Sequence, residues 1–336
     1  MKRFMWVSLV LSLVLGMDMR GDISMSAWAA PAQKITFTYA DINNEGTVQN
    51  MFANRWAKAV SDATDGNFTI EIYPGGILAK DDLDACLQGV MDMFPTSPGM
   101  LYDYSNRVSA LEAPMVYKDL EHSLRVLDIN SKVMTIINGD LIPHGFRILC
   151  AYNNGLRQIG AKKPIYQPSD LAGLKIRLPA NLVYDTFFTA AGASPTTMSR
   201  ADLPTALLTN VVDGMENSYH NIWGDQNHEV LTYVIEADYA PGINHVIINE
   251  KSYQSLSPEY QKILLEAMDE AAEWVTRYIV DDDINCKKLI LDTGKVKIIT
   301  EAEGLKIEEF RKLAAEVNKT LSEKYWGDTI ELIRNQ

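Results

Sequence analysis

Apolar and polar side chains alternate from Ile35 to Tyr39 (Ile-Thr-Phe-Thr-Tyr), which predicts a half-buried strand. Between Asn50 and Ala63 the spacing changes to that of a helix, with Met51, Trp56, Ala59 and Val60 on one face. Asp65-Gly66-Asn67 reads as a turn, and Phe68 to Tyr73 as a second strand closed by Pro74-Gly75-Gly76. A helix from about Asp81 to Gln88 leads to Gly89 and a short strand near Met91 to Phe94. This alternation predicts a parallel-type sheet with helices on both faces.

A helix around Leu120 to Ile137 precedes a strand from Phe146 to Tyr152. A second strand–helix set then runs from Ser169 to Asn217, and His245 to Asn249 returns as a strand, so the chain reads as two α/β lobes. Ser257-Pro258 is a strong helix start, Ser as N-cap and Pro at the first helical position. Apolar positions from Leu264 through Met268, Ala271 and Val275 persist to about Leu291. That is roughly 35 residues, or about 50 Å of helix, enough to cross both lobes. The acidic triplet Asp281 to Asp283 leaves open a break into two helices. A last amphipathic helix covers Lys306 to Tyr325.

Composition narrows the function. The chain has 336 residues, 47% of them apolar, and a net charge of −13 without a basic run that could track phosphates, so nucleic acid is not an expected partner. Lys2, Arg3 and the apolar run Phe4 to Gly16 form an export signal, with Ala27-Trp28-Ala29 placing cleavage after Ala29 and an uncleaved anchor as the alternative. No later segment reaches membrane-spanning length, so the mature chain is expected to be soluble and exported. Cys86, Cys150 and Cys286 are widely spaced and are expected as buried thiols. His228-Glu229 begins like a zinc-protease helix, but Thr232 stands where the second histidine belongs. Neither a nucleophile elbow nor a phosphate-binding glycine loop is present. No catalytic residue, metal site or cofactor is expected.

Binding residues are better marked. In Leu174-Lys-Ile-Arg-Leu-Pro179 the apolar side chains take one strand face and Lys175 and Arg177 the other. A guanidinium at the carboxyl end of such a strand points into the crevice where α/β folds bind ligands, and its planar fork matches a carboxylate. Arg157, in Asn154-Gly-Leu-Arg157, ends the preceding segment. Either arginine could instead be a surface charge or a structural ion-pair partner.

The segment Asp170-Leu-Ala-Gly-Leu-Lys-Ile-Arg-Leu-Pro179, then Gly192-Ala-Ser-Pro195 with Met198, then Val212-Asp-Gly-Met-Glu-Asn217, resembles the solute-binding subunit of TRAP transporters, periplasmic carriers of organic acids. Tyr73-Pro-Gly-Gly and Gln88-Gly-Val-Met-Asp92 fit the same pattern in order. The resemblance implies a two-lobed α/β periplasmic binding protein with hinge strands and a long helix spanning both lobes. Residues 30–154 with 243–282 would form lobe I, and 155–242 with 283–336 lobe II. It further implies that Arg177 holds the ligand carboxylate, with Arg157 and Asn217 adding a second cation and an amide. Ser199-Arg200 departs from an aromatic position common in the family, so Arg200 could meet a second carboxylate or face solvent. Tyr239 stands where some sugar-acid binders carry histidine. Tyr219 and Trp223 could wall a planar acid or pack under the hinge. Asp41 and Ser97 could reach the ligand's far end.

The expected function is capture of a small organic acid for the TRAP membrane subunits by lobe closure. A periplasmic sensor that presents the acid to a receptor kinase is the alternative, and a hydrolase or lyase on the same scaffold is a third reading.

Overall fold

A computed structural model describes residues 34–78 and 83–336. The expected signal segment and the start of the helix at Asp81 lie outside the described residues. The first lobe begins with β1 (Ile35–Ala40), α1 (Val48–Ala63), β2 (Phe68–Tyr73), α2 (Leu83–Leu87) and β3 (Met93–Thr96). Next come α3 (Leu120–Leu127), α4 (Lys132–Leu141) and β4 (Phe146–Ala161). The second lobe contains β5 (Lys175–Leu178), α5 (Leu182–Ala190), β6 (Ser194–Thr197), α6 (Leu203–Leu208), β7 (Gly214–Asn217) and α7 (Tyr219–Gly224). The chain closes with β8 (Tyr233–Asn249), α8 (Glu250–Ser255), α9 (Pro258–Asp292), β9 (Lys297–Ile299), α10 (Ile307–Leu321) and α11 (Thr329–Asn335).

The described strands join in one sheet ordered β2-β1-β3-β8-β4-β7-β5-β6, with β9 beside β8. It is mixed rather than parallel. Each lobe has a parallel set, but β8 runs antiparallel to β3 and β4, and β4 antiparallel to β7. The cause is that β4 and β8, at 16 and 17 residues, each cross from one lobe to the other in opposite senses. These two strands are the hinge. Where they cross, the ladder slips at Asn153/Leu156 and Arg157/Ile159. Asp238 answers the second slip with a φ of +43°.

The helix expected over 120–137 divides at Asp128, and Ser131 caps the second piece by accepting from Met134 N. The long helix does not divide. α9 runs unbroken for 35 residues from its Ser257 cap through the acidic triplet. It packs on α1 and β4 in one lobe and on α7 in the other. Two of the triplet's carboxylates are engaged, Asp283 with His220 and Asp282 with Cys286.

Alternation along β8 assigns its side chains to opposite faces. Val246 and Ile248 join Trp56, Leu264 and Val275 in a core under α1 and α9. Ile243 and Ile247 join a core on the other face that continues through Phe187 and Phe188 to Phe310 and Trp326. A third core, with Met215, Ile222, Val234 and Cys286, lies under the C-terminal part of α9. The last residues return to first-lobe elements: Trp326 Nε1 donates to Ser109, and the Ile333 carbonyl lies 2.7 Å from His122 Nε2. Cys86, Cys150 and Cys286 are buried and unpaired.

Candidate functional site

The parallel strands of both lobes end toward the hinge. β5, β6 and β7 bring Arg177, the Met198 turn and Asn217 to one edge, and antiparallel β4 sets Gln158 opposite Asn217. From the other lobe, β1 and β3 end at Asp41 and Ser97. The lobes approach closely here. A Cβ on Gly99 would stand 2.6 Å from the Ala180 carbonyl just beyond β5, so only glycine fits this point.

Arg177 is 5% exposed, and its Nε and Nη2 both donate to the Met198 carbonyl at 3.1 and 2.8 Å. Nη1 has no partner among the described residues, and Arg177 forms no ion pair with any of them. Burial lowers its pKa, opposed by Glu216 and Asp225 and reinforced by Arg157 and Arg200. A cation held by a carbonyl and lacking a counter-ion is a prepared anion site.

Arg157 differs. Its Nε and Nη2 grip the two oxygens of Glu216, and Tyr239 donates to the same carboxylate at 2.7 Å. Burial disfavours the Arg157 cation, but Glu216 outweighs that and holds its pKa above the ordinary value. The ion-pair alternative therefore describes its charge, while its Nη1 has no hydrogen-bond partner among the described residues. Tyr239 is fully buried against Tyr184, Phe187 and Phe188, so it acts on Glu216 from behind.

Arg200 also has a carboxylate. Its Nε and Nη2 donate to Asp225 at 2.6 and 2.8 Å, and Nη2 donates to Asn221 at 2.9 Å. Asn221 in turn donates to Asn217 Oδ1. Asp41 is buried, and among the described residues its side chain accepts from the neutral donors Asn43 and Asn50. Ser97 caps the turn at Pro98–Leu101 without a side-chain bond to it.

Tyr219 and Trp223 are engaged elsewhere. Leu156 and Gln158 face opposite to Arg157 on β4, and with Glu236 and Asp238 they line a groove of about 390 Å³ that includes Tyr219. Tyr219 donates to Glu236 at 2.8 Å, and Trp223 stacks on His228 with ring centres 4.4 Å apart. A neighbouring groove of about 490 Å³ shares Leu156, Glu236 and Asp238, and Arg177 lines neither cavity.

Sequence reading passed over Glu216 and Asp225, whose pairing depends on strands and turns distant in the chain. Glu216 alone carried a signal, as an acidic residue directly after Met215 in a short strand. Among the described residues no cluster of His, Cys, Asp and Glu could hold a metal ion.

Two lobes on crossing hinge strands, with an unpaired arginine at their meeting edge, define a two-lobed solute-binding protein. Residues 39–324 match the bacterial extracellular solute-binding protein family 7, and the chain belongs to that family, the TRAP solute-binding proteins its sequence resembles. The 2,3-diketo-L-gulonate-binding periplasmic protein YiaO of Escherichia coli is 24% identical over 295 residues, 87% of this chain and 88% of that one. The C4-dicarboxylate-binding protein DctB of Bacillus subtilis is 28% identical over 248 residues, covering 73% and 70%. Among solved structures, a TRAP periplasmic solute-binding protein from Shewanella oneidensis with bound succinate superposes with a TM-score of 0.79 at 23% identity, covering 90% of this chain and 99% of that one. One from Roseobacter denitrificans with bound β-D-glucuronate also gives 0.79 at 23% identity, covering 89% and 99%. The family and these neighbours are solute-binding proteins, not enzymes.

Proposed function

We propose that this protein, exported and cleaved near Ala29, captures a small organic acid in the periplasm and delivers it to TRAP membrane subunits. The observation that carries the reading is Arg177, a buried cation without a counter-ion among the described residues, at the edge where the two lobes meet. In this reading the acid's carboxylate takes the Arg177 fork, Arg157 Nη1 and the Asn217 amide add donors, and lobe closure excludes water. Residues up to 154 with 243–282 form one jaw and 155–242 with 283–336 the other, except that the residues after α10 tie back to the first. Ligand-dependent closure is then the signal read by the membrane subunits, because the acid binds the closed state more tightly than the open one. Among the described residues no helix is long and apolar enough to cross a membrane, which fits a partner that supplies the channel.

A thermal-shift screen of mono-, di-, keto-, sugar and aromatic acids identifies the class, since a bound acid raises the melting temperature. For any acid that binds, Arg177→Lys removes the fork and is expected to weaken binding by at least ~2 kcal/mol in calorimetry. Unchanged affinity would take Arg177 out of the site.

A further inference from the structure

Three arginines gather at the second lobe's edge, and two arrive with carboxylates attached. Arg157 is matched by Glu216 inside the protein, a side chain with no exposure. Arg200 is matched by Asp225 in a two-point fork at 2.6 and 2.8 Å, and Asn221 takes a further donor of the same guanidinium. Exposed ion pairs are commonly weak, but a bidentate arginine–carboxylate pair embedded in a network is the exception. That network reaches the site itself, since Asn221 also holds Asn217 Oδ1 at 3.2 Å. Arg177 alone of the three has no carboxylate. Of the three arginines at this edge, Arg177 therefore offers the one charge that no carboxylate among the described residues holds.

We propose that the cleft selects acids with one carboxylate over those with two, and that Asp225 sets this selectivity by keeping Arg200 from a second carboxylate. The inference rests on the carboxylate-capture reading and adds the charge of the cargo. A monoanion is matched by Arg177 and needs no second cation. A dianion would have to break the Arg200–Asp225 fork or leave its second carboxylate without a cation of its own, and both cost affinity.

Matched acids test it: butyrate with succinate, 2-oxopentanoate with 2-oxoglutarate, glucuronate with glucarate, and benzoate with terephthalate. In calorimetry the full-length mature protein is expected to prefer the monoacid of whichever pair it binds by about tenfold or more. Asp225→Asn should bring that ratio toward one by strengthening the diacid, and adding Arg200→Gln to that variant should restore the original preference. Each ratio compares two ligands in one protein, so partial misfolding of a variant cancels. A wild-type protein that binds the diacid as tightly as its monoacid, or a ratio that Asp225→Asn leaves unmoved, overturns the inference while carboxylate capture stands. Binding of no member of any pair would instead remove the carboxylate-capture reading itself.

Discussion

Glu216 receives three donors from two residues, Arg157 through Nε and Nη2 and Tyr239 through its hydroxyl, with no exposure to water. A buried pair of this kind contributes little over an apolar equivalent, yet removing one partner leaves the other charged and unmatched. Glu216→Gln preserves shape and removes the charge, so it is expected to cost about 3–5 kcal/mol of folding stability in urea titration. A loss under ~1 kcal/mol would mean that water or a shifted carboxylate reaches Arg157. The sequence exposed this site unevenly. Arg177 was legible because its strand, its alternation and its closing proline are all local. Arg157's partner was not, since β4 and β7 are neighbours only in space. The same holds for Arg200, just before α6, and Asp225, just after α7, with β7 between the two helices.

At the scale of elements, Phe146–Tyr152 and His245–Asn249 are visible as strands, but the halves of β4 and β8 beyond the crossing are not. Asn153-Asn154-Gly155 carries every local sign of a turn, yet the strand continues through it because bulges let β4 bend while still pairing with β8. Gly155 is central to that bend. It holds a φ of +89°, and a Cβ there would lie 2.4 Å from Asp283 Oδ2 and 2.8 Å from Ser218 Cβ. Asp283 is fixed in turn by His220, whose backbone N and Nδ1 lie 2.7 and 2.8 Å from Oδ1. The long helix is thereby pinned to α7, beside the hinge glycine, at the acidic triplet where the sequence left a break open. Gly155→Ala combines left-handed strain of about 1 kcal/mol with a clash against this pin. It should lower stability by at least ~2 kcal/mol in denaturant melts, and Asp283→Ala added to it should recover part of the loss by opening space. A Gly155→Ala protein as stable as the wild type would show that the bend relaxes freely.

For the whole molecule, the two lobes are joined at a buried acid as well as by strands. Glu112, from the first lobe, lies 2.7 Å from Asn181 Nδ2 and 2.6 Å from the Tyr184 hydroxyl, and that hydroxyl is also 3.0 Å from the Pro241 carbonyl. One hydroxyl hydrogen cannot serve both acceptors. A neutral Glu112 resolves this by donating to Tyr184, which then donates to Pro241. Burial pushes the Glu112 carboxyl up to about 7, against the opposing pull of Tyr184, Asn181 and Arg157. Because the folded value exceeds the ordinary 4.5, unfolding releases a proton between the two, and stability falls as pH rises through that window. The penalty is absent below about pH 4.5 and complete above about 7, near 1.4 kcal/mol per unit or ~3 kcal/mol in all. His245 acts oppositely. Burial holds it down to about 3 from 6.5, so its contribution is complete above pH 6.5 and is lost on acidification. Between about 4.5 and 6.5 the two slopes cancel. Glu112→Gln imitates the neutral acid, its amide donating to Tyr184 and its oxygen accepting from Asn181. The variant's stability relative to wild type is expected to climb by ~3 kcal/mol from pH 4.5 to 7 and then level off, read from denaturant titrations at each pH. A difference that stays constant across that range would show that Glu112 is ionised in the folded protein and that the lobes meet at a charge.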